Sequence, residues 1–256
     1  MDQTTTKGIQ QAIEILRSTK SLFVLTGAGI SAESGIPTFR GKDGLWKNYS
    51  ATDLATSEAF DRDPGLVWEW YHWRQSVILG AKPNSAHLAL VELEKKFNDF
   101  LLLTQNVDSL HRLAGTKKIL ELHGNIFRAR CLSCGAVAEH IYDERMVMTD
   151  ALKTKTPLPH CGCGGLLRPD IVWFGEPIPQ DIWEESVSFL QGSANAALII
   201  GTSSVVWPAA FIPEIARQNQ VHTIEINLEP TPISDSVDVA LFGKAGEILP
   251  QIIKTL

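Results

Sequence analysis

The sequence predicts an α/β chain, a Rossmann-like doubly wound parallel sheet with a smaller module beside it. Three observations carry this. Short apolar runs stop abruptly at glycine or an amide: 21–26 before Gly27, 100–104 before Gln105, 197–200 before Gly201 and 222–226 before Asn227. Such uninterrupted runs suit parallel strands covered on both faces. Helix-like stretches lie between them, and strand–helix alternation winds a parallel sheet. Finally, two stretches break the alternation: about 42–80, rich in Trp and Tyr, and about 127–170, which holds all four cysteines.

The chain opens with Ile9, Ile13 and Leu16 at helical spacing, an amphipathic helix feeding the first strand. A helix is predicted over about 85–97, capped by Ser85, ahead of the second strand. Further helices are expected over 211–217 and 246–256. The core is then about 8–41, 84–126 and 171–256, and the module comes from insertions at about 42–83 and 127–170. Ligands of such sheets sit beyond the carboxyl ends of the strands, where Gly27, Gln105, Gly201 and Asn227 fall.

Composition bounds the function. The 256 residues carry a formal net charge of −6, which disfavours direct binding to nucleic acid. The polar stretch 1–7 does not read as a secretory signal, and no apolar run is long enough to span a bilayer. The expectation is a cytoplasmic protein without membrane contact, with a monomer favoured. In that reducing setting four cysteines are metal ligands or free thiols rather than disulfides.

Gly27-Ala28-Gly29-Ile30-Ser31-Ala32 fits the G-x-G-x-x-A turn, whose backbone can approach a pyrophosphate while the next helix offers N–H donors. It can equally serve packing alone. No acidic ribose ligand is evident after the second strand, which argues against an ordinary dehydrogenase. The turn runs on through Pro37-Thr38-Phe39-Arg40-Gly41, and Gln105-Asn106-Val107-Asp108 and His123-Gly124 follow. His123 titrates in the range of a base, although such a histidine also serves packing. Asp108 can cap a helix, Phe39 can be core, and Arg40 can be a solvated surface residue.

These runs closely resemble the sirtuin family of NAD-dependent protein deacylases. The resemblance continues in order through Ile171-Val172-Trp173-Phe174-Gly175-Glu176, Gly201-Thr202-Ser203-Ser204 and Ile226-Asn227. It implies NAD as co-substrate and acylated lysine in proteins or peptides as partner. The implied products are nicotinamide, O-acyl-ADP-ribose and free lysine. By resemblance His123 is the general base, Gln105 and Asn106 lie near the ribose, and Asp108 and the Val107 backbone meet the nicotinamide amide. Phe39 covers the reactive carbon and Arg40 lies near the phosphates. Gly27, Ala28, Gly29, Ser31, Ala32, Thr38, Gly201 and Thr202 belong to the same cofactor site. Ser203, Asn227 and the Ala245 backbone hold the adenosine half. Two readings compete: an NAD hydrolase or ADP-ribosyltransferase, and a non-enzymatic NAD or ADP-ribose sensor.

Tyr71 and Arg74 are three apart and share a helical face. A phenol and a guanidinium there can grip a carboxylate. Spacing alone equally fits an aromatic core stripe with Arg74 in a surface ion pair. This Tyr-x-x-Arg resembles the sirtuin class that accepts succinyl- and malonyl-lysine, with acetyl-lysine as a further substrate. Ala55 leaves room for the acyl chain. A desolvated guanidinium is costly without a countercharge, which favours acidic acyl groups. Val172 and the backbone of Phe174, Gly175 and Glu176, with Val205 opposite, are expected to hold the substrate main chain as an added strand.

Cys131-x-x-Cys134 is a zinc half-site. Cys161-x-Cys163 is tighter than the family's usual second half, and His160 is a possible substitute ligand. One closed structural zinc is expected, making the insertions a zinc-binding/helical module. Reduced thiols or a nucleic-acid-binding ribbon are the alternatives.

Overall fold

The computed structural model describes residues 3–38, 50–139 and 157–256. Six parallel strands form the large sheet: β1 (Ser21–Thr26), β2 (Asp99–Thr104), β3 (Ile119–Glu121), β7 (Ala196–Ile200), β8 (His222–Asn227) and β9 (Val239–Phe242). Their order is β3-β2-β1-β7-β8-β9, so the winding reverses between β1 and β7. That reversal is where a doubly wound sheet opens a crevice.

β1 is buried along its whole length because both faces are covered. Leu22 and Val24 face one core with α1 (Gln3–Ser18), α6 (Ser85–Lys96) and α10 (Ala245–Thr255). Phe23 and Leu25 face the other, with α8 (Gln180–Gly192) and α9 (Ile212–Gln218). The expected opening helix is α1, which buries Ile9, Ala12, Ile13 and Leu16. The cap of α6 is Asn84 rather than Ser85: its Oδ1 accepts the Ala86 and His87 N–H groups at 2.9 and 3.4 Å. Asn84 Nδ2 also donates to Ile30 O and Ser34 Oγ, tying α6 to the glycine turn. Two histidines lie buried behind the strand ends. His87 and His111 have ring centroids 4.8 Å apart, and His111 Nε2 meets Thr26 Oγ1 at 3.0 Å.

The smaller module holds a third core. Helices α3 (Ala51–Leu54), α4 (Ser57–Arg62) and α5 (Pro64–Leu79) pack beside a three-stranded antiparallel sheet, in which β5 (Val137–Glu139) and β6 (Leu167–Ile171) flank β4 (Gly124–Cys131). The sequence had pointed to a helical, cysteine-bearing module, and the sheet is an addition to it. α5 is anchored at its start by Asp63, which accepts the Leu66 N–H, with Pro64 in the first turn. Trp68 Nε1 donates to Leu167 O and Gln75 Nε2 to Ile126 O, which fastens α5 to both β6 and β4.

The two sheets share a short joint. β3 ends at Glu121 and β4 begins at Gly124, leaving only Leu122 and His123 between. Gly124 has φ +81°, and a Cβ there would lie 2.0 Å from Asp170 O, so only glycine fits. Below it Arg128 pairs with both Glu121 (2.9 Å) and Asp170 (3.0 Å).

Candidate active site and zinc-binding cluster

At the reversal the two turns touch through glycine. A Cβ on Gly27 would lie 2.8 Å from Gly201 O, and one on Gly201 only 2.4 Å from Ile30 N. The helix behind the first turn, α2, is one turn long (Gly29–Ala32). The Gly29 N–H goes to Gly201 O, and those of Ile30 and Ser31 close the turn onto Gly27 O and Ala28 O. The long phosphate-facing helix of an ordinary dinucleotide fold is thus replaced here by a tight knot. Ala28, Gly29 and Ala32 are half-buried on it, and Thr38 is the last described residue of the segment. Phe39 and Arg40 lie outside the described residues.

The run after β2 is bonded into that knot. Ser31 Oγ donates to Asp108 Oδ2 at 2.7 Å. Asn106 Nδ2 lies 3.1 Å from Gly27 O and 3.2 Å from Ser31 Oγ. Asp108 Oδ1 accepts the Leu110 N–H at the start of α7 (Leu110–Ala114), from one position before the N-cap, Ser109. Burial raises its pKa, opposed by the Leu110 and Ser31 hydrogen bonds and by Arg74. Val107 is buried, and its carbonyl accepts from Ile126 N. Gln105 Nε2 donates to Thr202 Oγ1 at 3.0 Å, crossing from β2's end to β7's. Asn227 Nδ2 donates to Thr202 O at 2.7 Å, joining the end of β8. Ser203 is half-buried in that loop. Ala245 is buried at the start of α10, where Glu33 accepts the Gly246 N–H at 2.9 Å.

His123, on the joint between the sheets, is half-buried. Its Nδ1 lies 3.0 Å from Gln105 O. A carbonyl only accepts, so Nδ1 carries the proton and Nε2 keeps a lone pair. Burial lowers the His123 pKa below 6.5, against the opposing pull of the Gln105 carbonyl. The imidazole is therefore neutral near pH 7, with a basic nitrogen held in a set direction.

Tyr71 and Arg74 lie on α5. Tyr71 is 0% exposed, and Trp173 Nε1 donates to its hydroxyl at 2.9 Å. Burial pushes the Tyr71 pKa up to about 12. Arg74 is half-buried with its guanidinium 5.0 Å from the Trp70 ring centre. It acts electrostatically on both Tyr71 and Asp108, which links the α5 face to the polar run after β2. Ala55 is buried, and its carbonyl accepts the Phe174 N–H.

In the turn after β6, Val172 N donates to His123 O, and Glu176 N to Trp173 O. The Glu176 side chain turns inward, binding Arg168, Ser57 Oγ and the Trp173 N–H. Phe174 and Gly175 are exposed here, as is Val205 in the loop after β7. Sequence reasoning assigned no role to Arg168 or Trp173. The only signal was the placement of Trp173 inside a quoted motif.

The four cysteines converge. Their Sγ atoms all lie within 4.8 Å of one another, with Cys131–Cys163 at 3.5 Å and Cys134–Cys161 at 3.7 Å. Four sulfurs about 2.3 Å from one zinc would stand about 3.8 Å apart, so the cluster could hold a zinc ion. The Cys131 Sγ accepts N–H groups from Cys134 and Ser133, and that of Cys163 accepts from Gly165. The one-residue spacing of Cys161 and Cys163 reaches without help from His160, whose Nδ1 pairs with Leu158 O. Among the described residues no helix is long and apolar enough to cross a membrane.

The comparisons with known proteins agree with one another. A protein of Pyrococcus furiosus named NAD-dependent protein deacylase is 51% identical over 246 residues, covering 95% of this chain and 96% of that protein. NAD-dependent protein deacylase 2 of Pyrobaculum aerophilum is 49% identical over 241 residues, covering 94% and 93%. A solved Sir2 homologue in complex with NAD matches with a TM-score of 0.86 at 43% identity, covering 96% of this chain and 92% of that one. A Sir2–p53 peptide–NAD+ structure matches with a TM-score of 0.82 at 32% identity, covering 96% and 97%. The model of the Sir2 family matches residues 27–208, and this chain belongs to that family.

Proposed function

We propose that this chain is an NAD-dependent protein-lysine deacylase that prefers succinyl- and malonyl-lysine and also accepts acetyl-lysine. The observation that carries the catalytic part is His123: a neutral imidazole whose Nδ1–H is fixed by Gln105 O, which leaves Nε2 as its basic nitrogen. NAD would be held by the knot of Gly27, Ala28, Gly29, Ser31, Ala32 and Thr38, with Phe39 and Arg40 following. Gln105, Asn106, Val107 and Asp108 take its nicotinamide ribose side, and Gly201, Thr202, Ser203, Asn227 and Ala245 its adenosine side. When bound, NAD supplies an activated glycosidic carbon for the acyl oxygen, and the products are nicotinamide, O-acyl-ADP-ribose and free lysine.

In this reading Nε2 of His123 takes the proton from a ribose hydroxyl. Asn106 and Asp108 stay oriented through their shared partner Ser31. A zinc held by Cys131, Cys134, Cys161 and Cys163 would brace the module and take no part in the reaction, because four cysteine ligands leave no open position. The N–H groups of Val172, Phe174 and Glu176 are engaged within the protein. A substrate main chain would therefore use carbonyls and the Gly175 N–H on that side, with Val205 opposite. The active site lies between the core (8–41, 84–126 and 171–256) and the module (42–83 and 127–170). The four thiol ligands suit a cytoplasmic, reducing setting.

The acyl preference rests on Tyr71 and Arg74. Tyr71 lies on the face of α5 that reaches Trp173, and Arg74 follows three residues on; Tyr71 is fully buried and Arg74 half-buried. The test is NAD-dependent turnover of matched succinyl-lysine and acetyl-lysine peptides, with products identified by mass. Higher kcat/KM on succinyl-lysine with O-succinyl-ADP-ribose formed is the expected result. Preference for acetyl-lysine would remove the acidic pocket and keep the deacylase. NAD consumed without deacylation of either peptide would replace the deacylase with a hydrolase or transferase.

A further inference from the structure

Trp173 sits between two parts of the site. Its backbone belongs to the turn after β6, and its N–H donates to the Glu176 carboxylate at 2.9 Å. Its indole reaches the other way, donating Nε1–H to the Tyr71 hydroxyl at 2.9 Å. The ring is fixed on several sides. The Arg168 guanidinium lies 3.4 Å from its centroid, and the Phe60 ring is 5.3 Å away. Arg168 is itself held by the Glu176 carboxylate and by Ile171 O.

This geometry sets the polarity of the phenol. An indole N–H can only donate, so the Tyr71 oxygen must accept from Trp173. Conjugation keeps a phenolic proton in the ring plane, on one of two sides. The indole fills the acceptor direction on one side, and the Tyr71 proton is left to point to the other. Burial raises the Tyr71 pKa to about 12, so that proton stays on the oxygen through the physiological range. A cation stacked on the indole face also draws electron density from the ring and makes the N–H a better donor.

We propose that Trp173, backed by Arg168, is a positioning residue that presents the Tyr71 hydroxyl as a hydrogen-bond donor to the acyl carboxylate. The proposal rests on the reading that Tyr71 and Arg74 recognise that carboxylate. It adds that specificity for acidic acyl groups is set partly by a residue outside the Tyr-x-x-Arg pair. It also ties acyl recognition to the turn that carries Val172, Phe174 and Glu176. A neutral acetyl group places no carboxylate before Tyr71 and has less use for the oriented proton.

The test compares succinyl-lysine with acetyl-lysine kcat/KM in wild type, Tyr71→Phe, Trp173→Phe and the double variant. Trp173→Phe keeps an aromatic ring and removes the N–H. It is expected to lower the succinyl-to-acetyl ratio about three- to tenfold, the size of one net hydrogen bond. The loss should appear in KM for the succinyl peptide, with KM for NAD unmoved. In the Tyr71→Phe background the same change should leave the ratio where it is. Should Trp173→Phe fail to fold, benzothienylalanine incorporated at position 173 keeps the bicyclic shape and replaces the N–H with sulfur. A selective Tyr71→Phe with an unselective change at 173 would overturn the proposal alone. A persistent effect of the 173 change without the Tyr71 hydroxyl would do the same. A Tyr71→Phe that leaves the ratio unchanged would overturn the acidic-pocket reading and this proposal with it.

Discussion

Replacing Gly201 with alanine tests the contact that forms the crevice. Gly201 has φ +59°, in the left-handed region, where a side chain costs roughly 1–2 kcal/mol. Its new Cβ would stand 2.4 Å from Ile30 N and 2.7 Å from Gly29 C. Both are backbone atoms, so no flexible side chain can swing away, and overpacking of this kind costs about 1–3 kcal/mol. The sum is about 2–5 kcal/mol. At about 2–4 °C per kcal/mol for a chain near this size, the melting temperature should fall by about 4–20 °C. The perturbation also pushes the first turn away from the Gly29–Gly201 hydrogen bond, so KM for NAD should rise several-fold. Gly192→Ala is the control, because a Cβ there meets nothing within 4 Å. Thermal melts and NAD titrations of both variants decide the matter. A Gly201→Ala protein that melts within about 2 °C of wild type and binds NAD normally would refute the reasoning.

Three further outcomes follow from the same structure. Because burial holds His123 below its ordinary pKa, the acid limb of the kcat/KM profile should lie below pH 6.5, and His123→Ala should lose about 10²–10⁴-fold in rate; an acid limb above pH 7 would contradict the assignment. Burial holds His87 at about 4 and His111 well below 6.5, so the unfolded chain binds more protons between those values and stability must fall as pH drops below 6.5. At pH 5 His87 alone should cost about 2 kcal/mol, read as a lower urea midpoint than at pH 7, and His87→Gln should flatten the dependence. Metal analysis should find one zinc per chain, and Cys163→Ser should lower both that ratio and the melting temperature; a metal-free protein of unchanged stability would exclude the structural ion.

The large sheet was legible because its strands announce themselves. β1 and β7 are buried on both faces, and such strands must be apolar throughout. β3 was not legible: three residues are too few to show a period, and its place depends on pairing with Leu102–Thr104. β4 mixes buried, half-buried and exposed positions around an irregular register, so no clean alternation marks it. The cap of α6 was misplaced by one residue because Asn84 and Ser85 are both capping types, and only the bond to Ala86 and His87 decides between them. At the site, Ser31, Asn106 and Asp108 stood in quoted motifs, but their joint hydrogen bonding spans 77 positions and could not be read from spacing. Tyr71 sits in the aromatic core stripe that its spacing allowed, fully buried in the core of the module, and spacing alone could not show the bond it receives from Trp173, 102 positions away.

The two-residue joint between β3 and β4 has a mechanical consequence. When two rigid plates meet at a short link, rotation of one against the other sweeps distant points through long arcs and leaves the link nearly still. His123 occupies that link, tethered on one side by the Gln105 carbonyl and on the other by the Val172 N–H. A rotation of that kind would move Cys131, at the far end of β4, further than the imidazole. The candidate base thus stands at the fulcrum, where a rotation of one sheet against the other would displace it least.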